Sequence, residues 1–183
     1  MAISFRDQDE IDALGFAGYF KLARDGDEYS GALFIINARG EPVHFLYNKV
    51  RVTNHFMWRE EDLALAANRR LVQSLTSVCP VTPVLMLCQA SETPEKLFEY
   101  ELHSAPLVGC IARGERLEVT WYPRTPAAGT PAFTLWELLF TRGLLHEPFT
   151  RATKGIAEIL RTRPGHEIPS GGNIAPDSAT GGT

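Results

Sequence analysis

Residues 31–50 read GALFIINARGEPVHFLYNKV, an apolar run and an alternating run on either side of a short polar break. In Ala32-Leu33-Phe34-Ile35-Ile36 both faces of a period-two pattern are apolar, which suits a strand covered on two sides. Asn37-Ala38-Arg39-Gly40 can turn the chain because Gly40 tolerates positive φ, and Pro42 can open the outgoing strand without costing a ladder donor. Beyond it Val43, Phe45 and Tyr47 alternate with His44, Leu46 and Asn48, so each set is expected on its own face. The pattern predicts a β-hairpin at the centre of the fold. Upstream, FAGYFKLAR over 16–24 reads as another strand closed by the turn Asp25-Gly26-Asp27. Three strands in succession make an opening β-meander.

After Asn54 the period changes from two to 3.6. Leu63, Ala67, Leu71, Leu75 and Val78 form one stripe, and Glu60-Glu61-Asp62 in the first turn suit the helix dipole. Pro80 ends this helix, and Pro83–Cys88 reads as a short buried strand. Ser91-Glu92-Thr93-Pro94-Glu95 reads as a helix start with Thr93 as N-cap and Pro94 at the first position, followed by Phe98 and Leu102 at i,i+4. Strands are expected at Leu107–Ala112 and Leu117–Tyr122, joined by the turn Arg113-Gly114-Glu115-Arg116. After a proline-rich loop over 123–131, helices are expected at Phe133–Arg142 and Pro148–Thr162, the second with the stripe Phe149, Ala152, Ile156 and Leu160.

This order implies an α+β fold: one globular domain over residues 1–163, with an antiparallel or mixed sheet carrying packed helices. The final segment PGHEIPSGGNIAPDSATGGT lacks periodicity and is rich in Gly, Pro, Ser and Thr, so 164–183 is expected as a disordered tail.

The hydrophobic fraction of 44% is enough for a sizeable core. The opening MAISFRDQDEID lacks the basic start and apolar centre of a signal peptide, and no run reaches the ~18 apolar residues of a spanning helix. A soluble, cytoplasmic protein without membrane association is expected. Cys79, Cys88 and Cys110 are too widely spaced for a disulfide framework or a metal knuckle and read as buried thiols in a reducing compartment. A net charge of -4 disfavours non-specific grip on nucleic acid, although a local basic patch would override that average. The chain has no Walker A loop, G-x-G-x-x-G, G-x-S-x-G, H-E-x-x-H or paired Cys-x-x-Cys, so no cofactor and no motif-defined metal site is expected.

Four constellations carry candidate chemistry. Glu99, Glu101 and His103 would share a face of a strand and gather a divalent metal, but a helix beginning at Thr93 would part them. His55, beside Trp58 and Glu60-Glu61-Asp62, would be a general base or ligand, although helix-dipole pairing also explains the acids and Trp58 can staple the helix to the core. Asp25, Asp27 and Glu28 lack the ligand order of a calcium loop and read as a solvated turn. Arg151, Lys154 and Arg161 lie on one arc of the last helix, with Arg163 beyond, and would meet phosphates or an acidic partner; Glu158 partly neutralises them.

Aromatic residues crowd the first fifty positions. Tyr19, Phe34, Phe45 and Tyr47 are expected to supply interface anchors for a protein partner or a second copy, or else to fill the core. A folded chain without a recognisable site reads first as a non-catalytic interaction module or accessory subunit. The alternative is a metal-dependent hydrolase or nuclease built on His55 or His103 and nearby carboxylates such as Glu60 and Glu99. A weaker one is nucleic-acid contact through the last helix.

Overall fold

The structure, a computed structural model, describes residues 11–53, 55–94, 96–98, 107–112, 114 and 116–162, with only the backbone at His55. Among the described residues, six strands are β1 (Phe16–Asp25), β2 (Glu28–Asn37), β3 (Pro42–Arg51), β4 (Leu85–Gln89), β5 (Leu107–Ala112) and β6 (Glu118–Tyr122). The same residues hold three helices, α1 (Glu60–Ser77), α2 (Pro131–Thr141) and α3 (Glu147–Thr162), and single 3-10 turns at His55–Met57 and Ala90–Glu92. The strands form one mixed sheet in the order β3-β2-β1-β4-β5-β6. β1, β2 and β3 are the antiparallel meander that the turn residues dictate, β4 and β5 run parallel to β1, and β6 returns antiparallel to β5. The α+β class and the mixed sheet are as expected. The tail expected over 164–183 lies outside the described residues.

Strand alternation divides the interior into two cores. On one face Phe20, Leu22, Leu33, Ile35, Met86 and Val108 pack under Leu63, Ala67, Leu71 and Leu75 of α1. On the other, Ala17, Tyr19, Phe34, Ile36, Leu85, Leu87 and Ile111 pack under Leu135 and Leu139 of α2 and Phe149 and Ala152 of α3. Helices on both faces explain the two-sided apolar character of β2, whose Ala32–Ile36 segment is buried throughout.

The hairpin GALFIINARGEPVHFLYNKV folds as a hairpin, with Gly40 at φ 87°, but it occupies an edge of the sheet while β1 and β4 take the centre. A register shift between Ile35 and Ile36 also moves Val43 off the face of Phe45: Ile36 pairs with Pro42 and Ile35 with His44, and Val43 packs in the α1 core. Leu46 joins the same core, and the Asn48 side-chain amide donates to Ser74 Oγ of α1 at 2.9 Å.

Four local expectations are corrected. The α1 stripe stops at Leu75, because the helix ends at Ser77 and Val78, its C-cap, is exposed. A 3-10 turn over Ala90–Glu92 follows β4 where a helix start was expected, and Thr93 closes it as C-cap, its hydroxyl donating back to the Gln89 carbonyl at 2.9 Å. α2 begins at Pro131 rather than Phe133: the Thr130 side chain accepts from the Phe133 N–H, and Pro131 takes the first position without wasting a donor. On α3, Leu160 is exposed.

Three contacts tie the second core together. Gly109 lies opposite Trp121, and a Cβ there would stand 2.9 Å from the indole and 3.1 Å from Leu87 Cδ2, so only glycine lets the ring rest against β5. Trp121 meets Trp136 of α2 edge-on, with ring centroids 5.0 Å apart. Tyr19 donates its hydroxyl to the Leu144 carbonyl at 2.7 Å, and burial pushes the phenol above its ordinary ionisation range. Tyr19→Phe leaves that carbonyl unmet and is expected to cost about 1–2 kcal/mol in urea unfolding.

Candidate functional site

β1 leads away to β2 on one side, whereas β4 leads to β5 on the other. Their parallel pairing, Ala17 with Leu85 through Phe20 with Cys88, therefore creates a switch point in the sheet, and a crevice opens there at the carboxyl ends of β4 and β5, beside the middle of β1. A cavity of about 400 Å³ occupies that position, lined by Lys21, Gln89, Arg116, His146, Thr150 and Thr153 with Phe149 and Leu117 as apolar wall. Lys21 and Gln89 each continue the strand face that carries Tyr19 and Leu87, so both point toward α3.

The floor of the crevice is an ionic cluster. Lys21 Nζ donates to Gln89 Oε1 at 3.2 Å and pairs with Glu92 Oε1. Gln89 is 4% exposed, a buried amide held by this contact. The second carboxylate oxygen, Glu92 Oε2, is buried with no hydrogen-bond partner. Arg116 stands exposed on the β5–β6 connection, and His146 and Thr150 come from the start of α3. The first turn of a helix presents unbonded N–H groups and the positive end of the dipole. Among the described residues that line the cavity, none is acidic, and Lys21 and Arg116 are cations.

The sequence candidates fall elsewhere. Glu60 lies at the start of α1 and accepts from Arg24 Nη1 at 2.5 Å, an exposed surface pair. Glu99, Glu101 and His103 lie outside the described residues, as does the His55 side chain. Among the described residues no three His, Cys, Asp or Glu side chains come together as a metal site. Asp25 and Asp27 close the β1–β2 hairpin, and Glu28 pairs with Lys49 at 3.1 Å.

Arg151 is turned away from the crevice. Its guanidinium donates to the Gly40 carbonyl at 2.9 Å and to Glu147, and it lies 5.1 Å from the Phe34 ring centroid, so it fastens α3 to the β2–β3 hairpin. Arg161 pairs with Glu158, and Lys154 is exposed. Of the aromatic candidates, Tyr19 and Phe34 are buried in the second core and offer no surface, while Phe45 and Tyr47 are half-buried on β3. Two layers of helices give the meander's aromatics an interior to fill.

No protein-family model matches the chain, and no curated protein matches it. Among solved structures, it is similar to an endonuclease V from Bacillus subtilis at 14% identity and a TM-score of 0.41, covering 61% of this chain and 54% of that one. It is also similar to an endonuclease V from Streptomyces avermitilis at 14% identity and a TM-score of 0.42, covering 62% and 59% respectively. The chain thus spans somewhat over half the length of either. The expectation of a non-catalytic interaction module is corrected: two of the aromatics offered as its interface anchors, Tyr19 and Phe34, lie in the core. No helix among the described residues is long and apolar enough to cross a membrane.

Proposed function

We propose that the crevice binds a phosphate ester, such as one nucleotide unit of a nucleic-acid strand. The observation that carries this reading is the lining: two cations, Lys21 and Arg116, and two threonines converge on one cavity at the switch point of the sheet. Phosphate oxygens are pure acceptors, so ammonium, guanidinium and hydroxyl donors suit them, and Phe149 and Leu117 supply an apolar wall for a base or sugar. A volume of about 400 Å³ accommodates one such unit rather than a duplex. The overall negative charge does not oppose this, because the field inside a crevice is set by its own walls.

Fluorescence anisotropy of a short labelled single strand, titrated with the full chain at several salt concentrations, tests the reading. Saturable binding that weakens with salt is expected, and Arg116→Gln should lower the slope of log affinity against log salt by roughly one. A free mononucleotide that competes assigns the small ester, and one that fails to compete assigns the strand. The same mixtures, resolved on a denaturing gel with divalent metal and with chelator, report whether the phosphodiester is cut. No saturable binding of either probe near physiological salt sinks the proposal.

A further inference from the structure

Cys88 and Cys110 occupy directly paired positions on the adjacent parallel strands β4 and β5, on the sheet face opposite the crevice. Their sulfurs stand 2.8 Å apart, both as free thiols. Neighbouring parallel strands are separated by about 4.8 Å, which falls within the Cα spacing that a disulfide spans. Both side chains already point the same way, so closing to a bond of about 2.05 Å needs less than an ångström of sulfur movement and no change in strand register.

We propose that Cys88 and Cys110 are a reversible oxidation site, at which a hydroperoxide forms an intramolecular disulfide tying β4 to β5 and a thiol reductant reopens it. The two cysteines differ in a way that assigns their roles. The hydrogen bond from Cys88 lowers the pKa of the Cys110 thiol, while burial pushes the Cys88 thiol well up. Cys110, slightly exposed where Cys88 is fully buried, is the attacking group. Its thiolate attacks one peroxide oxygen and the O–O bond breaks, giving a sulfenic acid and a hydroxide that takes up the proton Cys110 released. The Cys88 sulfur then attacks the Cys110 sulfur, the S–O bond breaks, and the oxygen leaves as water with the Cys88 proton. Two thiols lose two electrons and two protons, and one hydrogen peroxide becomes two waters.

The test treats the folded wild-type chain with hydrogen peroxide, quenches it, unfolds it and alkylates the remaining thiols. The expected result is a fall from the three thiols of the sequence to one, Cys79. Peptide mapping should join the Cys88 peptide to the Cys110 peptide, and dithiothreitol should restore all three thiols. Cys79→Ser should behave alike, and Cys88→Ser should form no intramolecular cross-link. Three thiols surviving, or oxidation confined to Cys79, overturns the proposal; so does conversion of Cys110 to sulfinic or sulfonic acid without a cross-link. The wild-type map decides even where a serine variant fails to fold.

Discussion

Lys21→Met is expected to bind the labelled strand about tenfold or more weakly and to melt roughly 4–8 °C below the parent. Both effects come from one ammonium group. Lys21 and Glu92 are paired with side chains only 18% and 24% exposed, and Gln89 leans its amide oxygen on the same ammonium. Removing the cation strands a carboxylate that already has one buried oxygen without a partner. A fully buried broken pair costs about 3–5 kcal/mol; with this much exposure, about 2 kcal/mol is expected. The double variant Lys21→Met/Glu92→Gln separates the two effects, because it removes the stranded charge and should recover most of the melting temperature. It should not recover binding, since the donor to phosphate is still missing. Recovery of binding in the double variant would show that Lys21 serves the fold alone, and an unchanged melting temperature in the single variant would show that the pair is idle.

The largest loss of stability is expected from Phe20→Ala, about 3–5 kcal/mol by chemical denaturation. Phe20 lies on β1, in the middle of the sheet, is 1% exposed and packs with its ring centroid 6.4 Å from that of Phe98. Truncation opens a void beneath α1 that close-packed neighbours fill only in part. Phe140→Ser is the matching control. Phe140 is 57% exposed on α2, so its loss should change stability by no more than about 0.5 kcal/mol. Equal effects at the two positions would contradict the division of the interior into cores on either side of β1.

Local pattern carried most of the elements and little of the site. The stripe of α1 and the turns at Asp25-Gly26-Asp27 and Gly40 could be read because each depends on residues a few positions apart. The start of α2 carried a readable signal as well: Thr130 followed by Pro131 is an N-cap and a first-turn proline, hidden by counting both with the loop before them. The Thr93-Pro94 pair misled for the converse reason. Its residues suit an N-cap, but Thr93 closes the 3-10 turn before it and its hydroxyl donates back to the Gln89 carbonyl, a use that the local residues do not distinguish from a helix start. The bulge at Ile35/Ile36 likewise has no mark in the alternation it interrupts.

The crevice shows the division most plainly. Lys21, Gln89, Arg116 and His146 have no spacing that links them, and each taken singly reads as an ordinary surface or strand residue. What the sequence alone determined is the meander, the three helices and the mixture of α and β, because hydrophobic period and turn chemistry act over a few residues. Only the tertiary structure decided that β1 pairs with β4 in parallel and that α3 packs over the face of β1 and β2. That pairing closes a loop of more than sixty residues, so it is set by which strand faces bury together rather than by any neighbour along the chain. It alone brings Lys21 beside Gln89 on one face and Cys88 beside Cys110 on the other.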